Sequence, residues 1–155
     1  MEQAIASGHV LAALSALAAG AGVLLSPKGT HAHRLTGTVY LVALVLVNVA
    51  ALSLHRESTF GVFHALAVAS LVTIAAGLSP LLLGKRSAPV LATHAYCMTW
   101  SYAGLAAAGS GQLTVAVGPD AEWAVPATIV TALLLSGVVI FGKVPSTLER
   151  VLVRR

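Results

Sequence analysis

Six histidines are the residues of this 155-residue chain whose type and spacing could support chemistry. They are conspicuous because only 9% of the residues are charged and the chain has a single cysteine, Cys97. A neutral imidazole ligates haem iron, zinc and copper, so histidines facing one another from neighbouring elements would predict a haem or metal site. The sequence shows no phosphate-binding loop and no nucleophile–base pair, which leaves little room for a hydrolase or transferase.

The elements that must position these histidines are transmembrane helices. Hydrophobic residues make up 57% of the chain, and its charged fraction is far below the roughly 25% of soluble domains. The charge-free stretches are continuously apolar and reach the roughly 20 residues that span a bilayer as a helix. The sequence therefore predicts an all-α integral membrane protein, a single domain over 1–155 with five transmembrane helices and helices 1–4 as a four-helix core. The predicted helices cover 4–26, 31–55, 59–83, 89–109 and 123–142, with Gly109-Ser110-Gly111 ending the fourth.

The charges predict the orientation of these helices. Eight of the nine Lys and Arg residues fall on the side opposite the N-terminus, and Arg56 alone falls on the N-terminal side. Cytoplasmic loops carry the excess of basic residues, so the N-terminus is expected outside and the C-terminus in the cytoplasm. The net charge of +4 then reflects topology, and we expect no nucleic-acid partner.

In this topology the histidines form two layers. His9 and His64 lie in the outer parts of helices 1 and 3, whereas His33 and His94 lie near the cytoplasmic ends of helices 2 and 4. At 1.5 Å per residue, the layers are separated by about 24 Å along helix 1. Each layer could hold one flat ligand between two imidazoles, which is the chemistry of bis-histidine haem.

The sequence thus predicts two b-type haems, one held by His9 and His64 and the other by His33 and His94. Gly37 leaves room beside His33 one helical turn later, and small residues follow His9 at Ala12, Ala13, Ala16 and Gly20. Guanidinium groups bind carboxylates, so Arg56 is expected at the propionates of the outer haem. Arg34, together with Lys28, would serve the inner haem in the same way.

Several alternatives remain open at this point. Three histidines per layer could instead bind zinc or copper, with His55 joining the outer layer and His31 the inner one. Single histidines could also be interfacial side chains bonded to backbone carbonyls, and Arg56 could simply pair with a neighbouring glutamate. We expect Cys97 to serve packing and Asn48 to form an interhelical hydrogen bond. Tyr40, Trp123 and Phe141 are typical of interfacial aromatic residues.

Two motifs resemble those of a known family. Residues 28–40 match the pattern K-G-x-x-x-H-R-x-x-G-x-x-Y of a family of predicted bacterial membrane proteins of unknown function. The run His94-x-x-x-Met98-x-x-x-Tyr102-x-Gly104-Leu105 resembles that family's second signature. The resemblance implies a bacterial inner membrane location. More distantly, the histidine distribution resembles the di-haem cytochrome b561 fold, in which four helices hold two haems.

These observations predict a b-type di-haem protein that passes electrons across the membrane, which leaves open whether it is an oxidoreductase in its own right. Quinone, a metal-reducing partner or a larger respiratory complex could accept or donate the electrons, and the chain could assemble with itself. The alternative is a haem-free membrane scaffold or accessory subunit of a larger complex. Because little of the chain lies outside the bilayer, the lipid bilayer is the main expected partner.

Overall fold

The chain folds into five α-helices over the residues that the computed structural model describes, 2–53, 61–84, 87–118 and 123–153. They are α1 (Glu2–Leu25), α2 (His31–Ser53), α3 (Val62–Leu82), α4 (Ala88–Val117) and α5 (Ala124–Val153). Numerous large apolar side chains are exposed on these helices, and α1, α2, α3 and α5 are long and apolar enough to cross a membrane. The predicted all-α integral membrane protein is confirmed.

The helices divide into two compact units, Met1–Leu71 and Val72–Arg155, and α3 contributes to both. In the first unit α1 packs against α2. His9 lies opposite Val47, and the later residue Gly22 lies opposite the earlier Thr36, so the two helices are antiparallel. The single bundle with helices 1–4 as its core stays a prediction.

A short turn joins α1 to α2, and its residues satisfy both helix ends. Lys28 Nζ donates hydrogen bonds to the Val23 and Leu24 carbonyls at 2.7 and 2.9 Å, which caps the C-terminus of α1. Gly29 follows with a φ of 81°, a conformation that favours glycine. Thr30 Oγ1 then accepts the backbone N–H of His33 at 3.2 Å as the N-cap of α2. The first half of the K-G-x-x-x-H-R motif therefore builds the turn.

In the second unit α4 packs along α5 in antiparallel orientation. Trp100 lies over Gly137, and farther along α4 the Thr114 hydroxyl donates to Thr128 Oγ1 at 3.2 Å. The paired helices are each 30 residues long. Because α5 is apolar enough to span the bilayer, we infer that α4 crosses beside it, although α4 alone falls short in apolar content. Polar residues of α4 are tolerated within the bilayer where they are buried against other helices, and Ser101 is only 2% exposed.

The last two helices are longer than predicted. Helix α4 continues through the glycines at 109 and 111 to Val117, where the sequence suggested an end at 109. Helix α5 continues past Lys143 to Val153, where an end at 142 was expected. Buried Val144 and the half-buried Leu148 join the α4–α5 core, so packing against α4 holds the extension helical. Charged residues limit the apolar segment, but they do not end a helix that still has a packing partner.

Tyr40 was predicted as an interfacial aromatic, yet its side chain is 3% exposed and lies in the core of the first unit. The two other aromatics in that prediction, Trp123 and Phe141, are 75% and 63% exposed. Asn48 donates through Nδ2 to Ser70 Oγ at 2.9 Å, which joins α2 to α3 and confirms the predicted interhelical hydrogen bond.

Candidate functional site

His9 contacts the backbone of the neighbouring helix in the first unit. It is half-buried on α1, and its Nδ1 lies 3.1 Å from the Val47 carbonyl oxygen of α2. The next residue, Asn48, is 5% exposed and bonds Ser70 of α3. Adjacent positions of α2 therefore fasten α1 through a carbonyl and α3 through an amide, and this fixes the backbone that His9 contacts.

His94 makes the equivalent contact in the second unit. It is half-buried on α4, and its Nδ1 lies 3.0 Å from the Gly77 carbonyl oxygen of α3. Gly77 is buried and approached closely by α4: a methyl group placed on it would lie 2.7 Å from Cys97 Cβ and 2.8 Å from Met98 Cε. The contact thus depends on a residue without a side chain.

These two contacts determine which ring nitrogen of each imidazole donates a hydrogen bond. A carbonyl oxygen only accepts hydrogen bonds, so Nδ1 of His9 and of His94 must carry the proton and donate it. In the neutral ring the lone pair then resides on Nε2. Metal-bound histidines have this arrangement, in which one ring nitrogen donates to a carbonyl and the other binds the metal. In this tautomer Nε2 is the ring nitrogen of each residue that is chemically able to bind a metal.

His64 has a different contact. It is the third residue of α3, and its Nδ1 accepts the backbone N–H of Gly61 at 3.4 Å, just before the helix. This is the reciprocal half of a capping box, with the imidazole in place of glutamate. A neutral ring that accepts at Nδ1 carries its proton on Nε2, so in this contact His64 serves the helix end, and ligation through Nε2 would require the ring to release Gly61.

His33 shares one face of α2 with two later residues. Its side chain is half-buried with Nδ1 shielded from solvent, and Gly37 and Tyr40 follow at intervals of four and three residues. A methyl group placed on half-buried Gly37 would meet no atom within 4 Å. The position of Gly37 is therefore open, and buried Tyr40 follows it on the same face of α2. Arg34 is exposed one residue after His33.

The predicted site residues are shared between the two units. His9, His33, Arg34, Gly37 and His64 belong to the first, and His94 belongs to the second. Arg56 and His55 lie outside the described residues.

The structure gives Lys28 and two small residues of α1 contacts other than those predicted beside a haem. The Lys28 ammonium, expected at a propionate, is bound to the end of α1. Ala16 is 0% exposed and Gly20 is buried, so these small residues of α1 serve helix packing. Ala12 lines an open groove of about 390 Å³ between α1 and α2.

The three-histidine metal alternative gains no support. Within the described ranges, no three or more His, Cys, Asp or Glu side chains come together as a metal site would require. Cys97 instead packs its Cβ on Gly77, in keeping with the packing role expected for it. A bis-histidine haem needs only two protein ligands, so the haem hypothesis is unaffected by this result.

Sequence reasoning missed Gly77 and the two carbonyl acceptors. Backbone acceptors leave no trace in residue identity, and Val47 is one of many valines on α2. Gly77 did offer a clue, because a glycine inside an apolar helix is typical of a close helix–helix contact. Pro80, three residues later, is a second residue that disfavours a regular helix in the same part of α3.

Comparison with known proteins identifies one relationship. No curated protein and no solved structure matches the chain, so the likeness to the cytochrome b561 fold rests on the histidine arrangement alone. The profile of a family described as "Predicted membrane protein (DUF2306)" matches residues 6–144, which is most of the chain. That match agrees with the resemblance carried by the two motifs. The chain belongs to this family of membrane proteins of unknown function.

Proposed function

We propose that this protein carries electrons across the membrane through two b-type haems. The observation that supports the proposal is the pair of imidazole–carbonyl contacts, His9 to Val47 and His94 to Gly77. Each leaves an Nε2 lone pair on a half-buried imidazole between apolar helices. The two contacts belong to separate units of the chain.

In the outer site His9 would pair with His64, and in the inner site His94 would pair with His33. His9 is already oriented, whereas His64 would exchange its contact with Gly61 for the metal. For the inner site the open space at Gly37 lies on the His33 face of α2 and could accept the edge of a flat ring. Arg34 would hold a carboxylate there, and Arg56 would do so in the outer site.

When bound, haem would supply a one-electron couple, and the chain would tune and insulate it. Exposed apolar side chains place the helices in lipid, which lowers the dielectric constant around both imidazole pairs. The fixed Nδ1–H donation raises the electron density of each ring and favours the oxidised iron. We further propose a bacterial inner membrane location with the N-terminus outside, because the basic residues concentrate on the other side. A quinone or a redox protein would then exchange electrons at each face.

The alternative is a haem-free scaffold in a larger membrane complex. It accounts for the apolar surfaces, but lipid covers such surfaces equally well. In that case the two imidazole–carbonyl contacts would serve only to hold neighbouring helices together.

An absorption spectrum of the purified full chain tests the proposal. Expressed with ample haem and extracted in mild detergent, the protein should show a b-type α band in the reduced-minus-oxidised spectrum and contain about two haems per chain. A folded protein that is colourless under these conditions would contradict the proposal and favour the scaffold.

A further inference from the structure

Helices α3 and α4 approach each other closely at Gly77. A methyl group on Gly77 would lie 2.7 Å from Cys97 Cβ, and real Cβ atoms do not approach so closely. The Met98 methyl, at 2.8 Å, ends a flexible side chain and could move aside. Cys97 Cβ is attached to the backbone, so α4 itself would have to shift.

The same α4 face carries the ligand. His94, Cys97 and Met98 are spaced by three and four residues and so lie on one face of the helix. All three contact Gly77: His94 bonds its carbonyl, and the other two cover its Cα. Any displacement of α4 from Gly77 therefore also lengthens the His94 hydrogen bond, because the steric contact and the hydrogen bond share one residue.

We propose that Gly77 is a positioning residue that holds His94 in the Nδ1–H tautomer and thereby keeps Nε2 available as a ligand. Its lack of a side chain lets α4 come close enough for the imidazole to reach the carbonyl. The tautomer follows from the contacts alone, and only its consequence for haem rests on the proposed function.

Pro80 adds to this arrangement. It lies inside α3 and has no backbone N–H, so the carbonyl of Ala76 lacks its helical donor. In membrane helices, side chains of a neighbouring helix commonly supply donors near such a break. His94 donates to the carbonyl of the very next residue, Gly77. The His94 hydrogen bond and Pro80 therefore fall in the same turn of α3.

The experiment is a ¹⁵N NMR measurement of the histidine ring nitrogens in the full chain, prepared under haem limitation in detergent. The His94 signals are assigned by their loss in His94→Gln. In the wild type they should report a protonated Nδ1 and an unprotonated Nε2. In Gly77→Ala we expect the Nδ1–H to Nε2–H ratio to fall about fivefold, the change that one ordinary hydrogen bond produces.

Two further variants separate positioning from general damage. Gly104→Ala is the matched control, because Gly104 is a half-buried glycine of α4 where a methyl group meets no atom within 4 Å. The double variant Gly77→Ala/Cys97→Gly removes Cβ and Sγ of Cys97, the atoms on α4 that leave the added methyl group no room, and should restore the wild-type ratio. If Gly77→Ala does not fold, the double variant alone decides.

Each outcome has a defined meaning. An unchanged His94 ratio in folded Gly77→Ala would overturn the proposal, and so would an equal change in Gly104→Ala. A folded double variant that still lacks the Nδ1–H tautomer would also overturn it. Haem content is measured separately on the same variants expressed with haem, so a haem-free wild type would contradict the proposed function without affecting the tautomer result.

Discussion

The two units hold an imidazole against a helix carbonyl in physically different ways. In the first unit the acceptor helix α2 is fastened by a polar side chain, since Asn48 bonds Ser70 beside the Val47 carbonyl. In the second unit the acceptor is Gly77, and close steric contact with α4 brings the carbonyl within reach of His94. The comparison shows that one ring orientation can be built by a hydrogen bond or by the absence of a side chain.

The two constructions should respond differently to substitution. An interhelical hydrogen bond in a membrane is weak on average, because the separated helices find other partners. Overpacking cannot be relieved in this way, since a rigid backbone has to move. We therefore expect substitutions at the imidazole–carbonyl contact to lower the free energy of unfolding more in the second unit than in the first.

The largest effect is expected for Gly77→Leu. Overpacking a tight contact costs about 1–3 kcal/mol, and a leucine exceeds by far the methyl group that already clashes with Cys97. The free energy of unfolding in detergent should fall by at least about 2 kcal/mol. Gly142→Leu is the control, because Gly142 is exposed on α5 and a methyl group there meets no atom within 4 Å. Equal losses in both variants would refute the steric contact.

A smaller effect is expected in the first unit for Asn48→Ala. Losing its bond to Ser70 should cost about 0.6–1.7 kcal/mol of unfolding free energy. A double-mutant cycle with Ser70→Ala should give a coupling energy of about 0.6 kcal/mol. Ser15→Ala serves as the control, since that exposed hydroxyl bonds only within α1, to the Leu11 carbonyl. Additive losses at 48 and 70 would show that the amide does not fasten α2 to α3.

Much of this fold follows from the sequence, because bilayer thickness and charge alone limit the apolar segments. The starts of α2 and α4 were predicted to within one residue. The ends of α4 and α5 were not, because their packing on each other continues beyond the apolar segment.

The candidate site divides in the same way. Asn48 could be identified as an interhelical donor because a carboxamide inside an apolar helix must find a partner. The orientation of His9 and His94 could not, because it depends on backbone carbonyls of neighbouring helices. The contact of His64 with Gly61 was missed because a histidine can replace glutamate in a capping box.

Gly37→Ala should have two opposite effects. In haem-free protein it should raise the free energy of unfolding by about 0.5–1 kcal/mol, because alanine is the better helix former and the added methyl group meets no atom within 4 Å. In protein expressed with haem it should lower the occupancy of the inner site, because the methyl group fills the space beside His33. Thermal unfolding and haem content are measured on the same variant. Unchanged haem content would remove Gly37 from the site.

The smallest effect is expected for Lys28→Met at the α1–α2 turn. Burial lowers the Lys28 pKa below its ordinary value of 10.5, so the folded protein loses this proton at a lower pH than the unfolded chain. The associated stability is fully present above pH 10.5 and is lost as the pH falls through the lowered pKa. The wild-type free energy of unfolding should therefore rise with pH between these values. Lys28→Met should flatten that slope, and an identical slope would show that another group titrates.

The most direct test of the account is the haem content per chain of three variants measured against the wild type. His9→Ala and His94→Ala should each retain about one of two haems, and the haem lost should differ between them in midpoint potential, because we propose that the two imidazoles ligate different haems. His31→Ala is the matched control, since His31 is exposed at the start of α2 and should leave both haems in place. Loss of the same haem from both variants, or full retention in both, would contradict the claim that the two imidazole–carbonyl contacts mark two haem sites.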